Sequence, residues 1–273
     1  DYYNAVPVCF EILGSAIDVD RVYLFKNNYN ETGKGTTSQL IEWNSGMSTS
    51  QLDNPELQEI PFEDIKSFIE PLRKGKAFYG VVRDFKNDWT RKLLEAQDIR
   101  SIVVLPVFVK EQFWGFIGFD ECKFERRWTE GEFSTLSAFA KALESAIERT
   151  QAEDELNNAK IRMKAILDNI PFLAWLKDNK GGFLETNKAF QVACGKTAED
   201  IVGKTDYDVW PEEMAEKYRT DDEEVMKNGL KKSVEERIED KQGGVWFETY
   251  KTPIYDKEGK VIGTTGIASD ITE

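Results

Sequence analysis

The spacing of apolar positions divides the chain into alternating helices and strands. Over 6–16, apolar residues recur at helical spacing (Cys9, Ile12, Leu13, Ala16), which predicts an amphipathic helix. Residues 21–26 and 37–43 are β-branched and aromatic and predict two strands joined by a polar, glycine-containing hairpin loop over 27–36. The helical period returns over 62–72 through Phe62, Ile65, Phe68, Ile69 and Leu72. A strand over 76–82 and a short helix over 89–97 come next. The clearest pair of strands is 101–109 and 113–119, joined at Lys110-Glu111-Gln112. Strict alternation along the second of these places Phe113, Ile117 and Phe119 on one face and Trp114 and Phe116 on the other. A strand apolar on both faces belongs to a sheet covered on both sides. Gly115 and Gly118 predict close packing or a bulge.

Thr129-Glu130-Gly131-Glu132 is a capping box, and it opens a helical run to about Asp168. One apolar stripe holds Leu136, Phe139 or Ala140, Leu143 and Ile147; a second holds Ala152, Leu156, Ala159, Met163 and Ile166. The stripes fall out of phase near 149–151, a feature that alters supercoiling locally in a coiled coil. A run that outlasts one domain face predicts a parallel dimer seam through Leu136, Leu143, Ile147, Leu156 and Met163; packing on its own domain is the alternative. Pro171 ends the helix. Beyond it, 172–177 and 182–185 read as a hairpin and 187–194 and 198–202 as helical turns. Pro211 starts a helix over 212–228, and three strands close the chain over 233–238, 245–255 and 261–271, with turns at 241–244 and 256–259.

A length of 273 residues suits two domains, each with its own core. The longest charge-free apolar stretch, 101–109, is too short to cross a bilayer, and the opening Asp1-Tyr2-Tyr3 has neither the basic nor the apolar region of a signal peptide. A net charge of −14 argues against sequence-independent nucleic-acid binding. Cys9, Cys122 and Cys194 are scattered and without metal-ligand spacing, which suits a reducing cytoplasm. No histidine is present, so His-based triads, His-ligated haem and His-containing zinc sites are excluded.

The second half carries Asp168-Asn169-Ile170-Pro171, then Trp175-Leu176-Lys177-Asp178, Asn187-Lys188-Ala189-Phe190, and the run from Gly203 through Asp206 to Trp210-Pro211. Asp221, Gly229 and a final strand ending in Asp270-Ile271-Thr272 complete the order. Together these resemble a PAS domain over 166–273. The first half, with Ser101, Leu105-Pro106, the hairpin, Gly115, Asp120 and Trp128-Thr129, resembles a GAF domain over 1–149. The resemblance implies an α+β fold of two antiparallel-sheet sensory domains joined by a long signalling helix over 129–168. It further implies a cytoplasmic homodimer of the two-component type. Such a chain has no catalytic site of its own, and its output domain, a histidine kinase or next a diguanylate cyclase, is expected after Glu273. With no histidine in the chain, the phosphoacceptor of a kinase is expected there as well. On the same resemblance Asp270 and Thr272 are the signal-coupling residues. The alternative is a ligand-free dimerisation and protein-interaction scaffold.

Cofactor chemistry is narrowed by the residues. Gly195-Lys196-Thr197 and Gly203-Lys204-Thr205 invite a phosphate-loop reading, but the required earlier glycine is replaced by Phe190 and Ala198. Thr197, three residues before Asp200, fits a helix cap instead. Asp221-Asp222-Glu223-Glu224 reads as a solvated face, since four successive helical side chains cannot converge on one ion, and no metal site is expected. Cys194 lies outside the motif of flavin-adduct PAS domains, and a bilin-type GAF domain would pair a cysteine with a histidine; both cofactors are disfavoured, as is haem through His, and the cofactor is left open. The pocket candidates are aromatic and polar: Trp175, Asn187, Phe190, Trp210, Trp246, Tyr250, Thr252 and Thr265 in the second domain, Tyr23, Trp43, Phe78, Phe113 and Trp114 in the first. Such a set suits a small organic or amphipathic ligand.

Overall fold

A computed structural model of the chain describes residues 2–238 and 245–272; the turn expected at 241–244 lies outside the described residues. The chain divides into two units, Asp1–Glu155 and Leu156–Glu273.

In the first unit, helix α1 (Tyr2–Ile17) precedes strands β1 (Arg21–Tyr29), β2 (Gly35–Asn44) and β3 (Ile60–Pro61). Helix α2 (Lys66–Arg73), strand β4 (Phe78–Val81) and helix α3 (Asp88–Glu95) come next, then strands β5 (Ser101–Val109) and β6 (Gln112–Glu121). The strands form one antiparallel sheet in the order β3-β2-β1-β6-β5-β4. Apolar side chains cover both its faces. On one, Val6 and Phe10 of α1 and Leu136, Leu143 and Ile147 pack with Val22, Leu24, Trp114, Ile117 and Phe119. On the other, Ile65, Ile69, Leu72 and Leu94 pack with Tyr23, Phe25, Ile102, Val104, Phe113 and Phe116. The continuous apolar runs of β5 and β6 have this as their cause.

Two bulges reset the alternation. Val107 pairs with Gly115 and Phe108 with Phe113, leaving Trp114 as the extra residue. Trp114 therefore joins Ile117 and Phe119, while Phe113 joins Phe116; strict alternation groups them the other way, and one inserted residue is the reason. In β2, Leu24 pairs with Ile41 and Phe25 with Gln39, leaving Leu40 as the extra residue. Gly115 is fixed by contact: a Cβ there would stand 2.0 Å from the Phe25 carbonyl oxygen of the neighbouring strand.

On α1, too, the buried face differs from the expected one. Val6 and Phe10 are buried, with Leu13 and Ile17 packed beside them, whereas Val8, Cys9, Ile12 and Ala16 are exposed.

Helix α4 (Glu130–Asp168) runs unbroken through 149–151. The Glu132 carboxylate accepts from the Thr129 backbone N–H at 2.7 Å and the Glu132 N–H donates to Thr129 Oγ1 at 3.3 Å, the expected reciprocal cap. Leu136, Leu143 and Ile147 are buried in the first unit's own core, so these three members of the expected dimer seam are consumed within the chain. Leu156, Ile161, Met163 and Ile166 are exposed.

The second unit holds strands β7 (Leu173–Asp178) and β8 (Phe183–Thr186) and helices α5 (Lys188–Cys194), α6 (Ala198–Ile201), α7 (Asp206–Val209) and α8 (Glu212–Asn228). Strands β9 (Lys232–Ile238), β10 (Val245–Tyr255) and β11 (Val261–Asp270) complete an antiparallel sheet ordered β8-β7-β11-β10-β9. A core of Trp175, Phe183, Phe190, Ile201 and Ala268 lies between one sheet face and the helices. Thr197 and Asp200 cap α6 reciprocally. Helix α7, not anticipated from the sequence, starts where the Asp208 carboxylate accepts from the Thr205 N–H at 2.8 Å and its hydroxyl at 2.9 Å.

Candidate functional site

Each domain holds a small cavity on one face of its sheet, in the first domain the face covered by α2 and α3. The first, of about 60 Å³, is walled by apolar side chains that include Phe25, Leu57, Ile65, Phe68, Leu94 and Phe116. The polar part of its lining comes from Arg21 and Tyr23 of β1, Gln39 and Glu42 of β2, and Asp120 of β6. The bulge at Leu40 puts Gln39 and Glu42 on one face despite their odd spacing. Arg21 Nη2 lies 3.2 Å from Asp120 Oδ2, both side chains being 1% exposed, and the Tyr23 hydroxyl donates to Asp120 Oδ1 at 3.1 Å. Burial pushes the Asp120 carboxyl up to about 7, against the pull of Arg21. Burial beside Asp120 also raises the Tyr23 hydroxyl well above the usual tyrosine range. Burial works most strongly against the Arg21 charge, but Asp120 together with Cys122, Tyr23 and Glu42 outweighs it, so the guanidinium is held above its ordinary range and stays protonated.

The second cavity, of about 50 Å³, is lined by an aromatic group and a charged one. Phe190 meets Trp175, Phe183 and Trp210 with ring centroids 5.6, 5.5 and 5.7 Å apart, and Trp210 meets Tyr218 edge-on at 6.2 Å. Lys177 Nζ stands 2.6 Å from Asp206 Oδ2 and 2.8 Å from Asp222 Oδ2. Lys251 Nζ stands 3.0 Å from Asp222 Oδ1 and donates to the Tyr218 carbonyl at 2.9 Å. Two lysines and two aspartates thus balance one another, each side chain no more than 2% exposed. Burial raises the Asp206 carboxyl despite Lys177, and burial lowers the Lys251 ammonium despite Asp222. The solvated-face reading of residues 221–224 holds for Glu223 and Glu224, which are exposed, and is corrected for Asp221 and Asp222. Asp222 is fully enclosed and Asp221, mostly buried, pairs with Lys232 at 2.7 Å. The signal was available: Lys177 and Lys251 sit within strands, in phase with Trp175 and with Phe247 and Thr249 respectively.

The structure brings some sequence candidates together and separates others. Trp175, Phe190 and Trp210 line the second cavity, and Tyr23 lines the first. Trp246, Tyr250 and Thr252 occupy the opposite face of β10 from the lining residues Phe247, Thr249 and Lys251, because side chains alternate along a strand. Tyr250 bonds Glu248 there and lies 4.2 Å from Lys231 Nζ. Thr265 pairs in register with Thr252 on that outer face and donates to the Trp175 carbonyl at 3.1 Å. Trp114 and Trp43 pack on the other face of the first sheet. Phe78 and Phe113 belong to the aromatic wall behind the first cavity without lining it. Gly266 has its own reason: a Cβ there would stand 2.3 Å from the Trp175 ring.

Asn187 does not line a cavity; it ties a junction. Its Oδ1 accepts from the N–H groups of Ala174 and Phe190, both at 3.0 Å, capping α5. Its Nδ2 donates toward the carbonyls of Leu167, Ile170 and Phe172 at 3.1, 3.3 and 2.7 Å. The end of α4 is thereby fastened to the start of β7. At the same end of the sheet, where β11 finishes beside the start of β7, the Asp270 carboxylate accepts from the Thr272 N–H at 2.8 Å, and Thr272 Oγ1 accepts from the Trp246 N–H at 2.8 Å.

No group of three or more His, Cys, Asp or Glu among the described residues is placed to hold a metal ion. No helix among them is long and apolar enough to cross a membrane.

Comparison with known proteins adds kinship. The GAF domain family model matches residues 6–147, and the PAS fold model matches 167–273. The methanogenesis regulatory histidine kinase FilI of Methanothrix harundinacea (strain 6Ac) is 38% identical over 151 residues, covering 55% of this chain and 17% of that protein. The aerobic respiration control sensor protein ArcB of Escherichia coli (strain K12) is 30% identical over 112 residues, 41% of this chain and 14% of that protein. A diguanylate cyclase of Vibrio cholerae is 26% identical over 134 residues, 48% of this chain and 42% of that protein. The chain therefore spans less than half the length of each of these relatives.

Proposed function

The chain belongs to the GAF domain family and carries a PAS fold behind it, and from that premise we propose that it is the sensory region of a signalling protein that relays its state to an output domain. A small ligand at the cavity of either domain is the input. Helix α4 carries the change, and the end of β11 delivers it. Histidine kinase is the favoured output, with diguanylate cyclase next, in keeping with the relatives. The observation that carries the reading is α4 itself: its first half is part of the first core, and its last turn is fastened by Asn187 into the second domain. A ligand biases such a device only through different affinities for its two states.

The working unit on this reading is a cytoplasmic homodimer. Ala152, Leu156, Ala159, Met163 and Ile166 repeat at four and three residues along the exposed part of α4, the spacing of a coiled-coil seam. The exposed Val8 and Ile12 of α1 offer a further apolar face. Asp270 and Thr272 couple the sheet to the output domain. In the intact protein, Asp270→Ala is expected to abolish regulation of the output while leaving the domain's melting temperature nearly unchanged. An output regulated as in the wild type would overturn this role.

A further inference from the structure

The polar lining of the first-domain cavity leaves one donor and one acceptor unmatched. Arg21 commits both terminal nitrogens, Nη1 to the Thr49 carbonyl at 3.2 Å and Nη2 to the Gln97 carbonyl at 2.9 Å and to Asp120. Its Nε has no partner, although the residue is 1% exposed. Gln39 donates its amide N–H to Glu42 at 2.7 Å, while its Oε1 has no partner in a residue 6% exposed. Buried polar groups are nearly always paired, so two unpaired ones lining a single cavity point to a missing occupant.

The charges of that lining discriminate between occupants. Arg21 faces two carboxyl groups, Asp120 and Glu42. An anionic head would add a third negative group beside one cation whose terminal nitrogens are already engaged. A cationic head supplies donors alone and leaves Arg21 Nε unmatched. A group with one carbonyl and one N–H satisfies both residues without adding charge. The apolar part of the lining, with Ile65, Phe68, Leu94 and Phe116, asks for an apolar body, and a volume of about 60 Å³ keeps that body small.

We propose that this cavity recognises a small uncharged amide or lactam on an apolar body, its carbonyl accepting from Arg21 Nε and its N–H donating to Gln39 Oε1. The proposal rests on the sensory reading above and gives its ligand a chemical class. Isobutyramide, isobutyrate and isobutylamine share one branched body and differ in the charge of the head. Each is titrated into the full 273-residue chain and followed by NMR shifts of Arg21 Nε, Trp89 and Leu94. Isobutyramide is expected to shift these signals and to bind at least roughly tenfold more tightly than the two charged probes. Gln39→Leu, similar in size, is expected to weaken isobutyramide by roughly tenfold without unfolding the domain. Equal or tighter binding of a charged probe, or no shift at these residues from millimolar isobutyramide, overturns the proposal. The readout is binding to this chain, so its failure is distinct from that of the relay. Intact binding with an unresponsive output sinks the relay alone, and a responsive output without amide binding sinks the ligand class alone.

Discussion

Asp120 shows how far burial moves a single group. In the unfolded chain its carboxyl titrates near the ordinary 3.8, and in the folded domain near about 7. Between those values the folded state holds a proton that the unfolded state has released. This group therefore favours folding most in acid, and its contribution is lost as pH rises through about 7. Carboxyl-carbon NMR is expected to place its midpoint near 7; a midpoint near 4 would contradict the burial argument. The Tyr23 hydroxyl bond holds the carboxyl down, so Tyr23→Phe is expected to move the midpoint higher and to cost about 1 kcal/mol in urea denaturation. At this scale the sequence was only partly legible. Trp175, Phe190, Trp210 and Tyr23 were recognisable as aromatics that need an interior. Arg21, Asp120 and Asp222 were not, because a charged residue reads as surface until its partner, distant in sequence, is known.

Elements were far more legible. The helix over 212–228 and the strands over 101–109 and 245–255 emerged with the bounds the pattern predicts, since periodicity averages over many residues. What the pattern did not carry was parity. One extra residue, Trp114 or Leu40, exchanges inside for outside beyond it. On β10, which is regular among the lining residues, the candidates Trp246, Tyr250 and Thr252 lie on the face away from the cavity. On α1 and α4 an apolar stripe was visible, but not whether the chain itself covers it. The junction held by Asn187 gives a test at this scale. Asn187→Ala removes the acceptor for two N–H groups and the donor for three carbonyls. A loss of about 2–3 kcal/mol is expected in the second domain, with faster hydrogen exchange at the Ala174 and Phe190 amides. Unchanged protection at both would remove Asn187 from the junction.

At the scale of the whole chain, the tandem of two sheets and the 39-residue helix were readable because each motif falls in a fixed order. The division of α4 was not readable, since a buried and an exposed stripe look alike until the first core claims Leu136, Leu143 and Ile147. The remaining stripe makes the prediction about assembly. Light scattering of the chain is expected to give a dimer at tens of micromolar, and Leu156→Lys with Met163→Lys a monomer with both domains still folded. A wild-type chain that stays monomeric at high concentration, or a double variant that still dimerises, would exclude this seam.

The fastening of α4 at both ends has a consequence for how such chains can change length. Its start is set by the Thr129 cap and the first core, and its finish by Asn187 and by Lys164, which lies 3.2 Å from Glu185. Insertions or deletions are therefore confined to the exposed stretch between the two anchors. There, each added residue turns everything beyond it by about 100°, so a change of one or two residues would aim the exposed stripe away from a partner. Seven residues nearly restore the direction. Descendants of this chain that keep a working relay should accordingly differ in this stretch by whole heptads, as a screw thread tolerates only whole turns.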